Sequence, residues 1–92
     1  MEIKLKENNI QHVREQKVDL SISGQKIGHH YIDFMIEHKI ILELKKGNIT
    51  RIGDIKQLLM YLKSANIKLG ILAYFGNAGV NIKRVINSSY VE

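Results

Sequence analysis

The chain of 92 residues contains no cysteine, no proline and no tryptophan. The absence of cysteine excludes a disulfide framework, a zinc site built on thiolates and a thiol nucleophile. No stretch reaches the ~18 consecutive apolar residues that a membrane-spanning helix needs, and the N-terminal residues hold no apolar run that resembles a signal peptide. We therefore expect a cytoplasmic protein without a membrane partner.

What is present is typical of a globular protein, because 45% of the residues are hydrophobic and 25% are charged. The length allows one domain, and without a linker or a repeat we expect residues 1–92 to form it. The net charge of +5 favours a polyanionic partner, with nucleic acid before an anionic membrane surface. The alternative is that the net charge serves only solubility, because many small soluble domains carry a charge of this size.

Hydrophobic spacing predicts one helix and five strands. Alternating apolar residues predict strands over residues 12–23, 31–37 and 40–45, with a glycine-containing turn at residues 24–28. A helix is predicted over residues 51–65, starting near Asn48 and ending at Asn66, with an apolar stripe at helical spacing. This stripe consists of Ile52, Ile55, Leu58, Leu59 and Leu62. Residues 68–75 predict a central strand buried on both faces, and a turn and a last strand over residues 80–86 follow. Residues 1–9 are interpreted as a short helix or a frayed end, so the order is (α)-β-β-β-α-β-β, a mixed α/β or α+β fold.

The loop of the second hairpin decides which residues face each other. A three-residue loop at residues 37–39 pairs Ile36 with Ile40 and Asp33 with Glu43, and it makes one face of the hairpin wholly apolar. A two-residue loop would instead mix charged and apolar residues on each face. The three-residue loop is the more consistent register, with Ile32, Phe34 and Ile36 on one face and Asp33 on the other.

This register places two carboxylates, Asp33 and Glu43, side by side, with Lys45 one step along the same face. Two close carboxylates repel each other, and a divalent cation relieves that repulsion. A lysine beside such an ion can polarise a water or stabilise a phosphoryl transition state, so the three residues are a candidate metal-assisted phosphodiesterase site. The alternative is that they are charges of a half-exposed sheet, in which Lys45 neutralises the pair.

Gln57 and Tyr61 are four residues apart and share one face of the predicted helix, with Asp54 on the same side. Gln57 could orient Lys45 or a metal-bound water, and Tyr61 could pack on a sugar or contact a phosphate. The alternative is a solvated helix face with a half-buried tyrosine. The four histidines show no ligand spacing, and we interpret all of them as structural or surface residues.

The order of these features resembles the PD-(D/E)XK nuclease superfamily, and within it the GxxExxY proteins, a group of small predicted nucleases. The resemblance spans nearly the whole chain. It is carried by Asp33, by the E-x-K of IILELK at residues 40–45, by the QxxxY helix QLLMYL at residues 57–62 and by the strand that follows. The stretches NIQHVREQ, GHHYIDFMI and IKRVIN also agree with the pattern of that family.

The resemblance implies a restriction-endonuclease-like mixed sheet with a flanking helix and hydrolysis of nucleic-acid phosphodiester bonds, with DNA as the expected substrate. It implies that Asp33 and Glu43 bind Mg²⁺ or Mn²⁺ together with the backbone carbonyl of Leu44. It further implies that Lys45 assists the attacking water and that Gln57 positions the site. The residues we nominate for nucleic-acid contact are Tyr61, Lys46, Arg51, Lys83 and Arg84.

The chain departs from this family at its N-terminus. The glycine, glutamate and tyrosine that name the family lie on a helix upstream of the part that matches residues 5–16, so we expect an N-terminally truncated domain. Without that helix one side of the sheet is uncovered, and a second copy of the chain could cover it. The alternative function is therefore a catalytically inactive remnant of the fold that binds nucleic acid or assembles as an oligomer.

Overall fold

A computed structural model of the chain describes residue 6, residues 10–22 and residues 24–92. Five strands form one sheet: β1 His12–Ile22, β2 Gln25–Ile36, β3 Ile40–Lys46, β4 Leu69–Gly76 and β5 Gly79–Ile86. One helix, α1 Ile52–Ala65, lies between β3 and β4 in the chain. The predicted order of the three strands, the helix and the last two strands is confirmed. The expectation for residues 1–9 falls outside the described residues, apart from residue 6.

The strands are arranged in sequence order across a mixed sheet. The pairs β1–β2, β2–β3 and β4–β5 are antiparallel, whereas β3 and β4 are parallel. Parallel neighbours cannot be joined by a tight turn, and α1 provides the crossover that joins them. No helix within the described ranges is long and apolar enough to cross a membrane.

The first hairpin is tighter than the sequence predicts. β2 already begins at Gln25, so the predicted turn over residues 24–28 is wrong. Gly28 lies inside β2 opposite Leu20, and the next pair is Ser21 with Lys26, which leaves Ile27 as an extra residue on β2. Glycine inside a strand commonly marks such a bulge, and here it imitated a turn signal in the sequence.

The main core lies between α1 and the sheet. Its buried residues come from the helix and from all five strands: Val18, Ile32, Met35, Ile41, Leu58, Tyr61, Leu62, Leu72, Tyr74 and Val85. The helix approaches β4 closely at Gly70, where an added Cβ would lie 2.7 Å from the Cδ2 atom of Leu58. Ile52, which the stripe placed in the core, is instead 72% exposed at the first residue of the helix.

The two ends of α1 differ in how they are held. Asn66 adopts a left-handed conformation and its N–H donates to the carbonyls of Leu62 and Lys63, which confirms the predicted C-terminus. At the N-terminus the helix begins at Ile52, one residue later than predicted. Arg51 is the N-cap, and no side chain of the described residues caps the helix, so the predicted start near Asn48 is wrong. The Oδ1 atom of Asn48 accepts the N–H of Asn77 instead.

A smaller cluster lies on the opposite face of the sheet, where Phe34, Leu42 and Ala73 are buried. β4 therefore contributes buried residues to both faces, as its apolar run predicts. On β5, which forms an edge of the sheet, Val80, Ile82 and Ile86 are exposed. They lie on the face away from α1, because Val85 points into the main core and neighbouring strand residues point to opposite faces.

Candidate active site

The predicted register of the β2–β3 hairpin is confirmed for the pairs next to the loop, whereas the predicted pair Asp33–Glu43 is not part of the ladder. Ile36 pairs with Ile40, and the two strands are joined by residues 37–39. The ladder ends at the pair Phe34–Leu42. One step further, Oδ2 of Asp33 accepts the N–H of Leu44 at 2.8 Å. The side chain of Asp33 thus takes the place of a ladder bond and is held beside Glu43.

The faces of β2 are not those that strict alternation predicts. Ile32 and Met35 both pack in the core under α1, whereas Phe34 packs on the other face. The placement of Ile32 with Phe34 on one face is therefore wrong. The alternation breaks at Asp33, and the facing residue of β1, Glu15, has a φ of 50°, which is unusual for a residue other than glycine. Irregularities of this kind occur next to functional sites, where they re-aim a side chain.

Glu43 is a buried carboxyl group, 4% exposed. Its Oε1 atom has no hydrogen-bond partner among the described residues. Burial, together with the hydrogen bond and the negative charge of Asp33, raises the pKa of Glu43 from 4.5 to about 8, although Lys45 opposes the shift. An unpaired polar atom in a buried site is costly, which indicates that the group serves something other than stability.

Lys45 lies on the same face of β3 and points toward the helix. Its Nζ atom donates to Oε1 of Gln57 at 3.4 Å and lies 3.9 Å from Oδ1 of Asp54. The positive charge of this ammonium group also acts on Glu43, whose pKa it lowers. The structure thus brings together all four residues that the sequence assigns to catalysis: Asp33, Glu43, Lys45 and Gln57.

Tyr61 is placed differently from what its predicted contact requires. Its side chain is 2% exposed and its ring stacks on that of His30, with centroids 4.5 Å apart and planes 11° apart. Burial and the charge of Glu43 raise the pKa of the Tyr61 hydroxyl to about 12, although its hydrogen bond with Gln57 opposes the shift. In this arrangement Tyr61 packs beneath His30 at the base of the site. Its contact with nucleic acid stays a prediction.

His30 is the site residue that the sequence does not reveal. Its Nε2 atom lies 4.0 Å from Oε1 of Glu43, and its side chain is 41% exposed. Burial, then the charge of Lys45, lowers the pKa of His30, and Asp33 opposes the shift. Regular alternation would place His30 on the opposite face from Asp33. His30 lies in the same site as Asp33 and Glu43 only because the alternation breaks at Asp33, and no sequence signal predicts that break.

The nominated basic residues divide between the two faces of the sheet. Lys83 and Glu43 both pair with Leu72 on β4, so Lys83 lies on the face of the site, about 10 Å from Glu43 across two strand spacings. Arg51 precedes α1 on this side and is exposed. Lys46 and Arg84 follow Lys45 and Lys83 directly, and therefore point to the opposite face. The structure does not bring them to the site.

The donor set fits a divalent cation. Within the described residues no group of three or more His, Cys, Asp and Glu could hold a metal by itself. Mg²⁺ needs fewer protein ligands, because it is commonly held by one or two carboxylates and completes its shell with waters and phosphate. Asp33 and Glu43 supply two carboxylates, and the unpaired Oε1 atom of Glu43 leaves one lone-pair site unused. The Leu44 carbonyl is directed to the same side as its N–H, which bonds Asp33, so it can add a third oxygen.

The fold is shared with two solved structures. The crystal structure of SSO0001 matches this chain with a TM-score of 0.74 at 22% identity. The match covers 92% of this chain and 45% of the SSO0001 chain. An alkaline exonuclease, LHK-Exo from Laribacter hongkongensis, matches 95% of this chain and 52% of its own length, with a TM-score of 0.68 at 12% identity. The chain spans about half the length of these structures. They confirm the restriction-endonuclease-like fold.

Sequence comparison agrees with the fold. No curated protein matches the chain. A family model of the PD-(D/E)XK nuclease superfamily matches residues 1–85. That range includes the aspartate, the E-x-K and the helix glutamine that the structure gathers at one end of the β2–β3 hairpin. The chain therefore belongs to the PD-(D/E)XK nuclease superfamily.

Proposed function

We propose that this protein is a divalent-metal-dependent nuclease domain that hydrolyses phosphodiester bonds, with DNA as its substrate. The observation that carries the proposal is the buried carboxyl group of Glu43, next to Asp33 and the ammonium group of Lys45. The Oε1 atom of Glu43 has no hydrogen-bond partner within the described part of the chain. Two carboxylates and a lysine at the open end of a hairpin are an arrangement suited to a cation and a phosphate. Within the superfamily we place the chain in the GxxExxY group, on the sequence stretches given above.

Each residue of the site has a role that follows from its contacts. Asp33 and Glu43, with the Leu44 carbonyl, would hold Mg²⁺ or Mn²⁺, which when bound supplies a Lewis acid and lowers the pKa of a coordinated water. Lys45 places a positive charge where negative charge develops on the phosphoryl oxygens, and it orients the attacking water. Gln57 accepts a hydrogen bond from Lys45 and limits its rotamers.

Nucleic-acid contact on the face of the site is assigned to Arg51 and Lys83. Both are exposed, and Lys83 is aligned with Glu43 across the sheet. Because phosphate contacts release counterions, binding should fall steeply as salt concentration increases. Lys46 and Arg84 lie on the other face, where they would contact nucleic acid only if it passes around the edge of the sheet.

The test is cleavage of plasmid, single-stranded DNA and RNA in Mg²⁺ or Mn²⁺ by the native chain and two matched variants. Lys45→Ala should lower the rate about 100-fold or more, because it removes the charge beside the phosphoryl group. Lys39→Ala removes an exposed lysine at the other end of β3 and should cleave at the native rate. Absence of cleavage by the native chain on every substrate would contradict the proposal.

A second candidate function is a non-catalytic module that binds nucleic acid or a second copy of the chain. The observation that favours it is the row of exposed apolar side chains on β5, Val80, Ile82 and Ile86. Exposed apolar patches commonly mark interaction surfaces. Calorimetric titration with Mn²⁺ separates the two candidates. A nuclease binds the ion and loses it in the double variant Asp33→Asn, Glu43→Gln, whereas a non-catalytic module binds none, and sedimentation then reports its oligomeric state.

A further inference from the structure

Asp54 is the acidic partner of Lys45 in this structure. It lies in the first turn of α1, and its Oδ1 atom is 3.9 Å from the Nζ atom of Lys45. Its side chain is 20% exposed and that of Lys45 is 28% exposed, so solvent only partly screens the pair. A pair in this position interacts more strongly than the exposed pairs of a protein surface, whose contribution is often negligible.

The other oxygen of Asp54 is fixed by a buried hydroxyl. The Tyr74 hydroxyl donates to Oδ2 of Asp54 at 2.6 Å. The same oxygen of Tyr74 accepts the N–H of Arg51 at 3.3 Å, so it also satisfies one of the free amides at the start of the helix. Tyr74 is fully buried. Because both hydrogen bonds of the Tyr74 hydroxyl are made inside the protein, this hydroxyl holds the Asp54 carboxylate in one orientation.

The register of the sheet explains why these three groups meet. Lys45 on β3 and Tyr74 on β4 are direct partners in the parallel pair, and both point toward α1. The first turn of the helix lies across this pair and inserts Asp54 between the hydroxyl and the ammonium group. The negative charge is also favourable at this end of a helix, where the backbone dipole is positive.

We infer that Asp54, oriented by the hydroxyl of Tyr74, is a positioning residue that holds the ammonium group of Lys45 in place beside the Asp33–Glu43 carboxylates. A lysine side chain has four rotatable bonds and a point charge, so the single hydrogen bond that Lys45 donates to Gln57 leaves it considerable freedom. Asp54 adds a second, charged contact from a rigid element. The inference rests on the proposed function for its catalytic consequence, but the position of Lys45 can be measured without activity.

The first measurement is the order parameter of the Lys45 ε-methylene by ¹³C relaxation. In the native chain Lys45 should be more ordered than Lys56, an exposed lysine of α1 that serves as an internal control. Asp54→Asn keeps the size of the side chain and removes its charge, and should lower the order of Lys45 toward that of Lys56. Tyr74→Phe should have a smaller effect in the same direction, because Asp54 keeps its charge but loses its orientation. An order parameter for Lys45 that equals that of Lys56, or that Asp54→Asn leaves unchanged, overturns the inference.

The second measurement is steady-state cleavage. Asp54→Asn should lower kcat about 10-fold to 100-fold with little change in KM, because displacement of a catalytic group by about 1 Å costs this much without removing a substrate contact. In a Lys45→Met background the same substitution should have no further effect, since there is no ammonium group left to position. Additive losses would assign Asp54 a structural role and overturn the inference. An ordered Lys45 in a chain that cleaves nothing would support the positioning of Lys45 and reject the proposed nuclease function.

Discussion

We expect the stability of the protein to fall as pH rises from about 5 to about 9, and replacement of Glu43 by glutamine should remove most of this fall. The pKa of Glu43 in the folded protein is about 8, against an ordinary value of 4.5, because burial and Asp33 disfavour the charged form. A raised folded-state pKa means that the folded protein binds this proton more tightly than the unfolded chain does. The resulting stability is fully present below pH 4.5 and is lost as the pH rises through about 8.

The size of the effect follows from the difference between the two pKa values. One pKa unit corresponds to about 1.4 kcal/mol, which gives an upper limit of about 5 kcal/mol for full ionisation of Glu43 in the folded state. Solvent that reaches the site from the side of His30 and Lys45 screens the charge, and the carboxyl pair can relax. We therefore expect a loss of about 2 kcal/mol between pH 5 and pH 9, a large fraction of the stability of a small domain.

The assay is urea unfolding at several pH values, without divalent cations, on the native chain and two variants. Glu43→Gln should be close to the native chain at pH 5, where the carboxyl is protonated, and about 2 kcal/mol more stable than it at pH 9. Glu37→Gln is the control, because Glu37 is an exposed residue of the β2–β3 loop and its replacement should leave the native pH profile unchanged. If Glu43→Gln retains the native slope, the charge of Glu43 is not the cause, and our account of the site electrostatics is refuted.

Two further predictions concern the packing of α1. Gly70→Ala on β4 should destabilise the protein by about 1–3 kcal/mol in urea unfolding, because the new Cβ would meet the Leu58 side chain of α1 at 2.7 Å. Gly53→Ala in α1, where an added Cβ would meet none of the described atoms within 4 Å, should instead stabilise the protein by about 0.5–1 kcal/mol. Equal effects of the two substitutions would contradict the close approach of α1 to β4. Asn87→Ala should cost about 1–3 kcal/mol, because its buried amide donates to the carbonyls of Leu62 and Ile67 at the end of the helix, and an unchanged urea midpoint would show that water replaces these bonds.

The hairpin that carries the carboxylates was predictable because its information is local. The loop of residues 37–39 and the apolar pattern on either side of it fix one register, and the structure has that register. This register brings Asp33 close to Glu43, and the hydrogen bond from the N–H of Leu44 to Asp33 holds it there. The helix was predictable on similar grounds, since its stripe contains Leu58 and Leu62, which are buried against the sheet.

The remaining features of the site depend on contacts between distant parts of the chain. The break in alternation at Asp33 involves Glu15 on β1 and the N–H of Leu44 on β3, and neither is visible in the sequence of β2. As a result His30 enters the site and covers Tyr61. The spacing of Gln57 and Tyr61 correctly predicts that they share one side of the helix. It does not show that Tyr61 lies under β2 while Gln57 reaches solvent.

The position of Tyr74 shows a further limit of sequence reasoning. Residues 68–75 are an apolar run, and burial of Tyr74 follows from it. A buried tyrosine hydroxyl needs a partner, yet the sequence does not tell which of the distant polar groups provides it. The partner is Asp54, and this contact couples the core of the sheet to the side chain that faces Lys45.

The geometry of the site explains why a small domain keeps an unfavourable carboxyl group in its interior. An apolar residue in place of Glu43 would give higher stability, since the Oε1 atom of Glu43 is buried and has no hydrogen-bond partner among the residues that the structure describes. Lys45 contacts Gln57 and Asp54 on the side of α1, and Oε1 of Glu43 has no hydrogen-bond partner among the described residues. The positive charge of Lys45 therefore only partly offsets the cost of ionising Glu43 beside Asp33, and the pKa of Glu43 stays raised. Such an arrangement costs stability in the free protein. In the nuclease that we propose, a cation between the two carboxyl groups and a phosphate near Lys45 would recover that cost.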